Sequence, residues 1–331
     1  MAKIDVTPVS DKPKDKYRLT NWPAYNAGWK QRGSLTLWIS EDVAGSWNYD
    51  GVVKRGGQFE YSDPCIRVLL TLKVTFRLAF RQLEGFAGSI FQLMGIDLKV
   101  PCYTQVCRRQ KGLPVPLGIS ERVQRGEALH VVIDSTGLKI YGECEWKVRK
   151  HGYSKRRTWR KLHLAADEKT GEILAQVLTD NKTDDACVLP TLIERVEKEG
   201  IKIGKTGADG AYDTTECWEI LIEKSIEPII PPRENAVYWG DVDDQIGDHP
   251  RNHALQKIDE GGLEANRKGW KMEAGYHRRS ISENVFFRWK TILGEKMYAR
   301  KTENQQTEAA VKSAVLNRFI QIASPQSVKV A

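Results

Sequence analysis

Two aspartates stand at the ends of strand-like apolar runs, next to glycine. Asp134 ends the run HVVID at 130–134, and Asp209 lies in the segment GADGAYD at 207–213. Carboxylates of this kind, with a third from a helix, form the all-oxygen ligand set that Mg²⁺ or Mn²⁺ prefers. Two such ions, roughly 3.5–4 Å apart, activate an attacking hydroxyl and stabilise the leaving oxygen of a phosphodiester. The alternative is that each aspartate only forms a turn.

A third acid, Glu283, lies in a segment that predicts a helix from about 280 to 297. Arg279, Glu283 and Lys290 are spaced i, i+4 and i+11, which places them along one stripe of a helix. One helical face would then offer a metal-binding carboxylate flanked by two cations that bind phosphates. The alternative is an ion pair between Arg279 and Glu283 on a solvated face.

A basic segment with interleaved aromatic residues covers residues 147–161 and contains eight Lys or Arg and no acid. Cations suit phosphates and aromatic rings suit exposed bases, so the segment favours contact with DNA over a solvated hairpin loop. Its candidate DNA-binding residues are Lys147, Arg149, Lys150, Lys155, Arg156, Arg157, Trp159, Arg160 and Lys161.

The composition is that of a soluble globular protein, and the charge distribution suggests either contact with a polyanion or an effect on solubility alone. The chain has 331 residues, 40% hydrophobic and 28% charged, which excludes a disordered chain and a small disulfide scaffold. Residues 1–120 hold 17 Lys and Arg against 10 Asp and Glu, so they account for +7 of the net +8. Nucleic acid is therefore the first candidate partner. We expect a cytoplasmic protein with reduced cysteines, because we find no membrane span, export signal or CxxC pair.

The N-terminal third resembles a DNA-binding region with helix-turn-helix character. A polar, flexible arm is expected at 1–16 and a tryptophan-rich layer at 17–50, and helices are predicted across 62–111. Ser62 caps the first of these helices, and Gly95 can end the second. The short third helix carries Arg108, Arg109 and Lys111, which are candidate DNA contacts.

A proline- and glycine-rich linker at 112–118 separates this region (1–118) from a catalytic domain at 119–323, which a tail at 324–331 follows. Strands are predicted at 130–134, 159–166, 173–178, 202–208 and 227–230, with 138–141 as a hairpin continuation of the first. Helices are predicted at 185–199, 214–224, about 280–297 and 305–322. Residues 231–275 form a short insertion, in which 233–272 read as irregular. The fold class is thus mixed α/β (α+β): a mixed sheet covered by helices.

Four residues at fixed spacing identify a family. Tyr276, Arg279, Glu283 and Lys290 match the pattern Y-x2-R-x3-E-x6-K. With the two aspartate blocks, the chain resembles bacterial DDE transposases of the insertion sequence five family over about residues 120–320. The N-terminal third is similar to that family's end-binding region only loosely.

The resemblance implies an RNase H-like catalytic domain with a five-stranded mixed sheet. It implies that Asp134, Asp209 and Glu283 hold two Mg²⁺ or Mn²⁺ ions and that Tyr276, Arg279 and Lys290 contact DNA near the cleaved end. It also implies double-stranded DNA with terminal inverted repeats as partner, and a homodimer in the synaptic complex. The alternatives are a nuclease of the same fold that does not join strands and a DNA-binding regulator with an inactive catalytic domain. An RNA-binding protein has no recognisable motif in its favour.

Overall fold

The computed structural model describes residues 16–35, 38, 41–52, 55–140, 159–240, 249–259 and 263–330. Within these ranges no helix is both long enough and apolar enough to cross a membrane. The strands are β1 (Lys16–Leu19), β2 (Leu129–Lys139), β3 (Trp159–Asp167), β4 (Ile173–Thr179), β5 (Ile203–Gly207), β6 (Glu227–Ile229) and β7 (Ser327–Val330).

Helices occupy most of the remaining described chain. The N-terminal ones are α1 (Trp22–Arg32), α2 (Glu41–Gly45), α3 (Asp63–Thr75), α4 (Phe80–Met94), α5 (Tyr103–Arg109) and α6 (Glu121–Gln124). Those that follow are α7 (Leu189–Lys198), α8 (Thr215–Glu223), α9 (Pro250–Asp259), α10 (Leu263–Glu273), α11 (Ser280–Leu293) and α12 (Thr302–Ile322). Short 3₁₀ turns cover Ala186–Val188, Gly210–Tyr212 and Tyr276–Arg279.

Five strands form one mixed sheet in the order β4-β3-β2-β5-β6. β2, β3 and β4 are consecutive antiparallel neighbours, whereas β5 pairs in parallel with both β2 and β6. The parallel connections contain helices α7 and α8, as parallel strands require. This confirms the predicted five-stranded mixed sheet with flanking helices.

Each face of the sheet has its own hydrophobic core, because side chains alternate along a strand. Val131 and Ile133 of β2 contact a core that α7 and α8 complete. Leu138, with Leu162 and Leu164 of β3, lies in a second core that includes α3, α4, α11 and α12. The N-terminal helices therefore share a core with the two C-terminal helices, and this core fixes α11 over the sheet.

Helix α3 begins and helix α4 ends where the sequence predicts. The Ser62 hydroxyl accepts a hydrogen bond from Cys65 N at 3.1 Å, and Gly95 ends α4 in the left-handed conformation at φ 65°. Between α3 and α4, Arg77 also has a positive φ of 54°, which is unusual for a residue with a side chain. Its guanidinium donates to Thr291 O at 3.2 Å and Ile292 O at 3.0 Å, at the C-terminal end of α11.

Three stretches differ from expectation. Residues 233–272 read as irregular, but α9 and α10 lie there; Pro250 is the first residue of α9, a position at which proline is tolerated. The two short strands expected at 130–134 and 138–141 are one continuous strand, β2. In the stretch given as a tail, Ser327–Val330 forms β7, which pairs with β1. The arm expected at residues 1–16 lies outside the described residues, except for Lys16 in β1.

Candidate active site

Asp134 and Asp209 come together because β2 and β5 are parallel and in register. Val132 pairs with Gly207, and each aspartate lies two residues beyond this pair. β5 ends at Gly207, so the edge of β2 beyond Val132 is open on that side. Asp209 turns the chain there: its Oδ1 accepts a hydrogen bond from Ala211 N at 2.9 Å. The two carboxylates thus occupy neighbouring positions at one edge of the sheet.

The Asp134 carboxylate is hydrogen-bonded on both oxygens. Oδ1 accepts from Ser135 N at 2.8 Å, and Oδ2 accepts from Arg279 Nη1 at 2.8 Å and lies 2.9 Å from Ser282 Oγ. Burial raises the pKa of Asp134 above its ordinary value, although the Ser282 hydrogen bond and the Arg279 charge oppose this effect. The charge on Asp209 acts in the same direction as burial. A second positive charge at this edge would therefore be favourable.

Arg279 links the sheet to the third acid. Its guanidinium lies 2.8 Å from Asp134 Oδ2 and 3.2 Å from Glu283 Oε1. Burial alone would lower the pKa of Arg279, but Tyr276 and the carboxylates of Asp134, Asp209 and Glu283 outweigh it, and the pKa is raised. Arg279 therefore contacts the sheet edge and also forms the i,i+4 pair with Glu283 that the sequence allows.

The other two members of the four-residue pattern lie on either side of this pair. Lys290 Nζ, further along α11, is 2.7 Å from Thr136 Oγ1 on β2. Tyr276 lies in the 3₁₀ turn before α11, and the guanidinium of Arg279 is 5.8 Å from its ring centroid. Gly275, at φ +71°, provides the left-handed conformation that begins this turn. All four residues are thus brought to the edge that carries Asp134.

Carboxylate oxygens suit a divalent cation, but the Glu283 carboxylate does not form one cluster with Asp134 and Asp209. Among the described residues, no three His, Cys, Asp or Glu side chains are close enough together to hold a metal ion. The Glu283 side chain is 66% exposed and is paired with Arg279. Arg279 therefore occupies one oxygen each of Asp134 and Glu283 that a divalent cation between them would need.

The predicted DNA contacts of the basic segment 147–161 fall into three groups. Lys147, Arg149, Lys150, Lys155, Arg156 and Arg157 lie outside the described residues. Arg160 bonds Gln305 and Thr302, while Lys161 Nζ lies 2.9 Å from Thr183 O and 3.0 Å from Asp185 Oδ1. Trp159 is only 6% exposed, so the expectation that its ring meets an outside base disagrees with its position.

In the N-terminal region, the contacts of Arg109 lie within the protein. Its Nη2 is 2.6 Å from Asp63 Oδ1, its Nη1 donates to Tyr61 O, and its guanidinium lies over the Phe59 ring. Arg108 is exposed, and Lys111 pairs with Glu303 at 3.3 Å on the surface. The arrangement favours a structural role for Arg109 and leaves Arg108 and Lys111 on the surface.

A buried ion pair that the sequence did not reveal supports the Asp209 loop. Asp213 and Arg251, both nearly inaccessible, form a bidentate pair at 2.7 and 3.1 Å. Asp213 also accepts hydrogen bonds from Trp218 Nε1 and Arg233 N, and Arg251 lies over the Trp239 ring. The pair joins α9 to the loop that begins at Asp209. The sequence signal was weak: an aspartate four residues after Asp209 in GADGAYD.

Comparison with known proteins defines the class. Residues 125–318 match a family model described as a transposase DDE domain, and residues 30–143 match a second model with the same description. With the fold and the acidic edge, these matches define a DDE-type transposase. The chain belongs to the transposase DDE domain family, whose members generally use divalent metal ions.

Three solved structures are similar to the chain at low identity. The piggyBac transposase synaptic complex with hairpin DNA has 10% identity and a TM-score of 0.42, covering 92% of this chain and 77% of that one. The Drosophila P element transposase strand transfer complex has 9% identity and a TM-score of 0.30, covering 80% and 81%. The Mos1 transposase paired-end complex with left transposon end has 13% identity and a TM-score of 0.23, covering 76% and 83%.

Proposed function

We propose that this transposase belongs to a bacterial insertion sequence of the insertion sequence five family and acts in the cytoplasm on double-stranded DNA. It binds the terminal inverted repeats, cleaves at the element ends and joins the freed 3′-hydroxyl to target DNA. The spacing of Tyr276, Arg279, Glu283 and Lys290 supports the subfamily. Because two ends must be held together for joining, we propose a homodimer on DNA.

One observation carries the proposal: the β2–β5 register places Asp134 and Asp209 side by side, and Arg279 ties the helix of Glu283 to Asp134. Divalent metal ions held by these three acids would activate the attacking hydroxyl and stabilise the leaving oxygen. Hard carboxylate oxygens are the ligands that suit this role.

The chain's own groups position the DNA for two in-line displacements. In the first, a water oxygen forms a bond to phosphorus at the element end, and the bond to the 3′-oxygen breaks. In the second, that 3′-hydroxyl attacks a target phosphorus, and the 3′-oxygen of the target strand leaves. Arg279 and Lys290 would bind the phosphates, since guanidinium and ammonium groups form charge-assisted hydrogen bonds to phosphate oxygens. The Tyr276 ring lies beside Arg279 and would orient it.

Strand cleavage with Mg²⁺ or Mn²⁺ on DNA carrying the inverted repeats tests the assignment. Asp134→Ala, Asp209→Ala and Glu283→Ala should each abolish cleavage while binding to the DNA end survives. Glu194→Ala, on the exposed side of α7, is the matched control and should cleave normally. Cleavage retained by Glu283→Ala would contradict the assignment.

Pre-cut ends distinguish the transposase from a nuclease of the same fold. We expect the wild-type protein to join pre-cut 3′-hydroxyl ends to a target plasmid, whereas a nuclease would leave them unjoined. DNA binding with neither cleavage nor joining would favour a regulator with an inactive catalytic domain.

A further inference from the structure

A cavity of about 330 Å³ lies at the end of α11 remote from Glu283, between α11, α12 and the turn that joins α3 to α4. We call it the Lys73 pocket. Its volume is at the lower end of the range for small-molecule sites, about 300–1,000 Å³. The residues that define its chemistry are Lys73, Arg77, Phe80, Tyr298, Glu308 and Lys312.

Lys73 is the unusual member of this pocket. The residue is only 8% exposed, and burial lowers the pKa of its ammonium group. Among the described residues its ammonium lies near the rings of Phe80, at 4.8 Å, and Tyr298, at 5.4 Å, and forms no hydrogen bond or close ion pair; the charge of Glu308 acts on it only from a greater distance. Buried lysines are almost always paired, because an unpaired buried charge is costly.

Lys312, in the same pocket, is a buried lysine whose ammonium group has hydrogen-bond and ion-pair partners. It is 1% exposed, and its Nζ lies 2.8 Å from Lys296 O, 3.3 Å from Gly294 O and 3.4 Å from Glu308 Oε1. Glu308 in turn accepts hydrogen bonds from Tyr298 N and Ala299 N. The one carboxylate of the pocket is therefore already engaged.

Carbonyl groups at the C-terminal end of α11 accept hydrogen bonds from two cations of the pocket, Arg77 and Lys312, but not from Lys73. Arg77 donates to Thr291 O and Ile292 O, and Lys312 bonds Gly294 O, as expected for cations near the negative end of a helix dipole. Lys73 bonds none of these carbonyls. The pocket contains three cationic side chains, those of Lys73, Arg77 and Lys312, and one carboxylate, that of Glu308. Two positive charges are therefore in excess.

We propose that the Lys73 pocket binds a phosphate group, with the Lys73 ammonium as its principal donor and Arg77 and Lys312 supplying further positive charge. The phosphate is either a phosphodiester of bound DNA or a free phosphate ion. Glu283 and Leu293 are ten residues apart on α11, about 15 Å at 1.5 Å per residue. A duplex at the candidate active site would lie within reach of the pocket. Only this DNA source rests on the proposed function.

Thermal unfolding in sodium phosphate, against sodium chloride at equal ionic strength, tests the site. Phosphate at about ten times its dissociation constant should raise the Tm of the wild-type protein by about 2 °C beyond the chloride value. Lys73→Met should lose this saturable rise, and Lys73→Arg should keep it. Lys198→Met, an exposed lysine on α7, is the control and should behave like the wild type.

General salting effects of phosphate would persist in every variant, so the difference between Lys73→Met and Lys198→Met is the decisive quantity. An equal rise in both would overturn the proposal. Burial disfavours the Lys73 ammonium, and so we expect Lys73→Met to fold and to unfold at a temperature no lower than that of the wild type in chloride.

The salt dependence of duplex binding identifies the source of the phosphate. If a DNA phosphate enters the pocket, Lys73→Met should reduce the slope of log K against log salt by about 0.9. An unchanged slope with loss of the inorganic phosphate effect assigns the pocket to a free phosphate ion. Neither readout needs strand cleavage, so failure of the proposed transposition would leave this test intact.

Discussion

Arg279 and Asp134, separated by 144 residues in the chain, form an ion pair at 2.8 Å in the centre of the candidate active site. The same guanidinium holds Glu283 at 3.2 Å. An arginine that bonds two of the three acids competes for their oxygens with any divalent cation. If Arg279 binds a DNA phosphate as proposed, that phosphate competes with the two acids for its guanidinium.

Replacing Arg279 by Gln should tighten metal binding in the absence of DNA. Hydrogen bonds to charged groups contribute about 1.5–3 kcal/mol, so freeing Asp134 and Glu283 should lower the dissociation constant for Mn²⁺ about tenfold or more. Calorimetry or Mn²⁺ electron paramagnetic resonance on the full chain measures this directly.

Arg278→Gln is the matched control for charge alone. Arg278 is adjacent in sequence, but it is paired with Glu168 and not with the acids of the site. It should change the Mn²⁺ affinity much less than Arg279→Gln. Equal effects of the two variants would show that the ion pair with Asp134 does not compete with the metal.

Lys290→Met should weaken DNA-end binding and reduce its salt dependence. The Lys290 ammonium lies 2.7 Å from Thr136 Oγ1, at the same edge as Asp134, and a phosphate there would gain a charge-assisted contact. Loss of one phosphate contact lowers the slope of log K against log salt by about 0.9. Fluorescence anisotropy at several salt concentrations, with Thr136→Val as a variant that keeps the ammonium, checks this. A slope unchanged in Lys290→Met would remove Lys290 from the DNA contacts.

Much of this site follows from local sequence patterns. The β-branched run before Asp134 and the glycines around Asp209 predict two strand ends, and parallel pairing brings strand ends to one edge. The i,i+4 spacing of Arg279 and Glu283 gives their pairing directly. These features depend on the spacing of residues along one strand or one helix, which can be read from a single sequence.

Contacts between distant segments were not predictable in this way. Nothing in the polar stretch 233–272 indicates that Arg251 would bury its guanidinium against Asp213, 38 residues earlier. Ser282 reads as an ordinary helical serine until α11 packs on β2 and brings its hydroxyl to Asp134. The basic helix around Arg109 predicts a DNA contact, but in the packed structure the Arg109 guanidinium forms an ion pair with Asp63. Tertiary packing decides each case.

Breaking the Asp213–Arg251 pair should destabilise the protein strongly. Removing one partner of a buried ion pair leaves an uncompensated charge and costs about 3–5 kcal/mol. We expect this loss in the free energy of unfolding for Asp213→Ala, measured by urea denaturation. The double variant Asp213→Ala, Arg251→Met should recover part of it because no charge remains buried alone.

The surface pair Lys257–Glu273 provides the comparison. Both side chains are more than half exposed, so Glu273→Ala should cost less than about 1 kcal/mol. If Asp213→Ala were no more damaging than Glu273→Ala, the pair would not be what holds α9 to the Asp209 loop.

His163 should make stability depend on pH. Its ring is fully buried in β3; Nε2 lies 2.9 Å from Thr179 Oγ1, and Nδ1 lies 3.7 Å from Asp185 Oδ1, which also pairs with Lys161. Burial lowers the pKa of His163 from 6.5 to about 4, against the opposing charge of Asp185. The folded protein therefore resists a proton that the unfolded chain accepts below pH 6.5.

The sign of the effect follows from this difference. The contribution of neutral His163 is complete above pH 6.5 and is lost as the pH falls toward 4, by about 2 kcal/mol between pH 7 and pH 5. His163→Gln cannot titrate, so its free energy of unfolding in urea should fall by about 2 kcal/mol less than that of the wild type over this interval. His277→Gln, which removes an exposed histidine, should retain the wild-type dependence. The same pH dependence in His163→Gln and the wild type would mean that His163 accepts its proton equally well in both states.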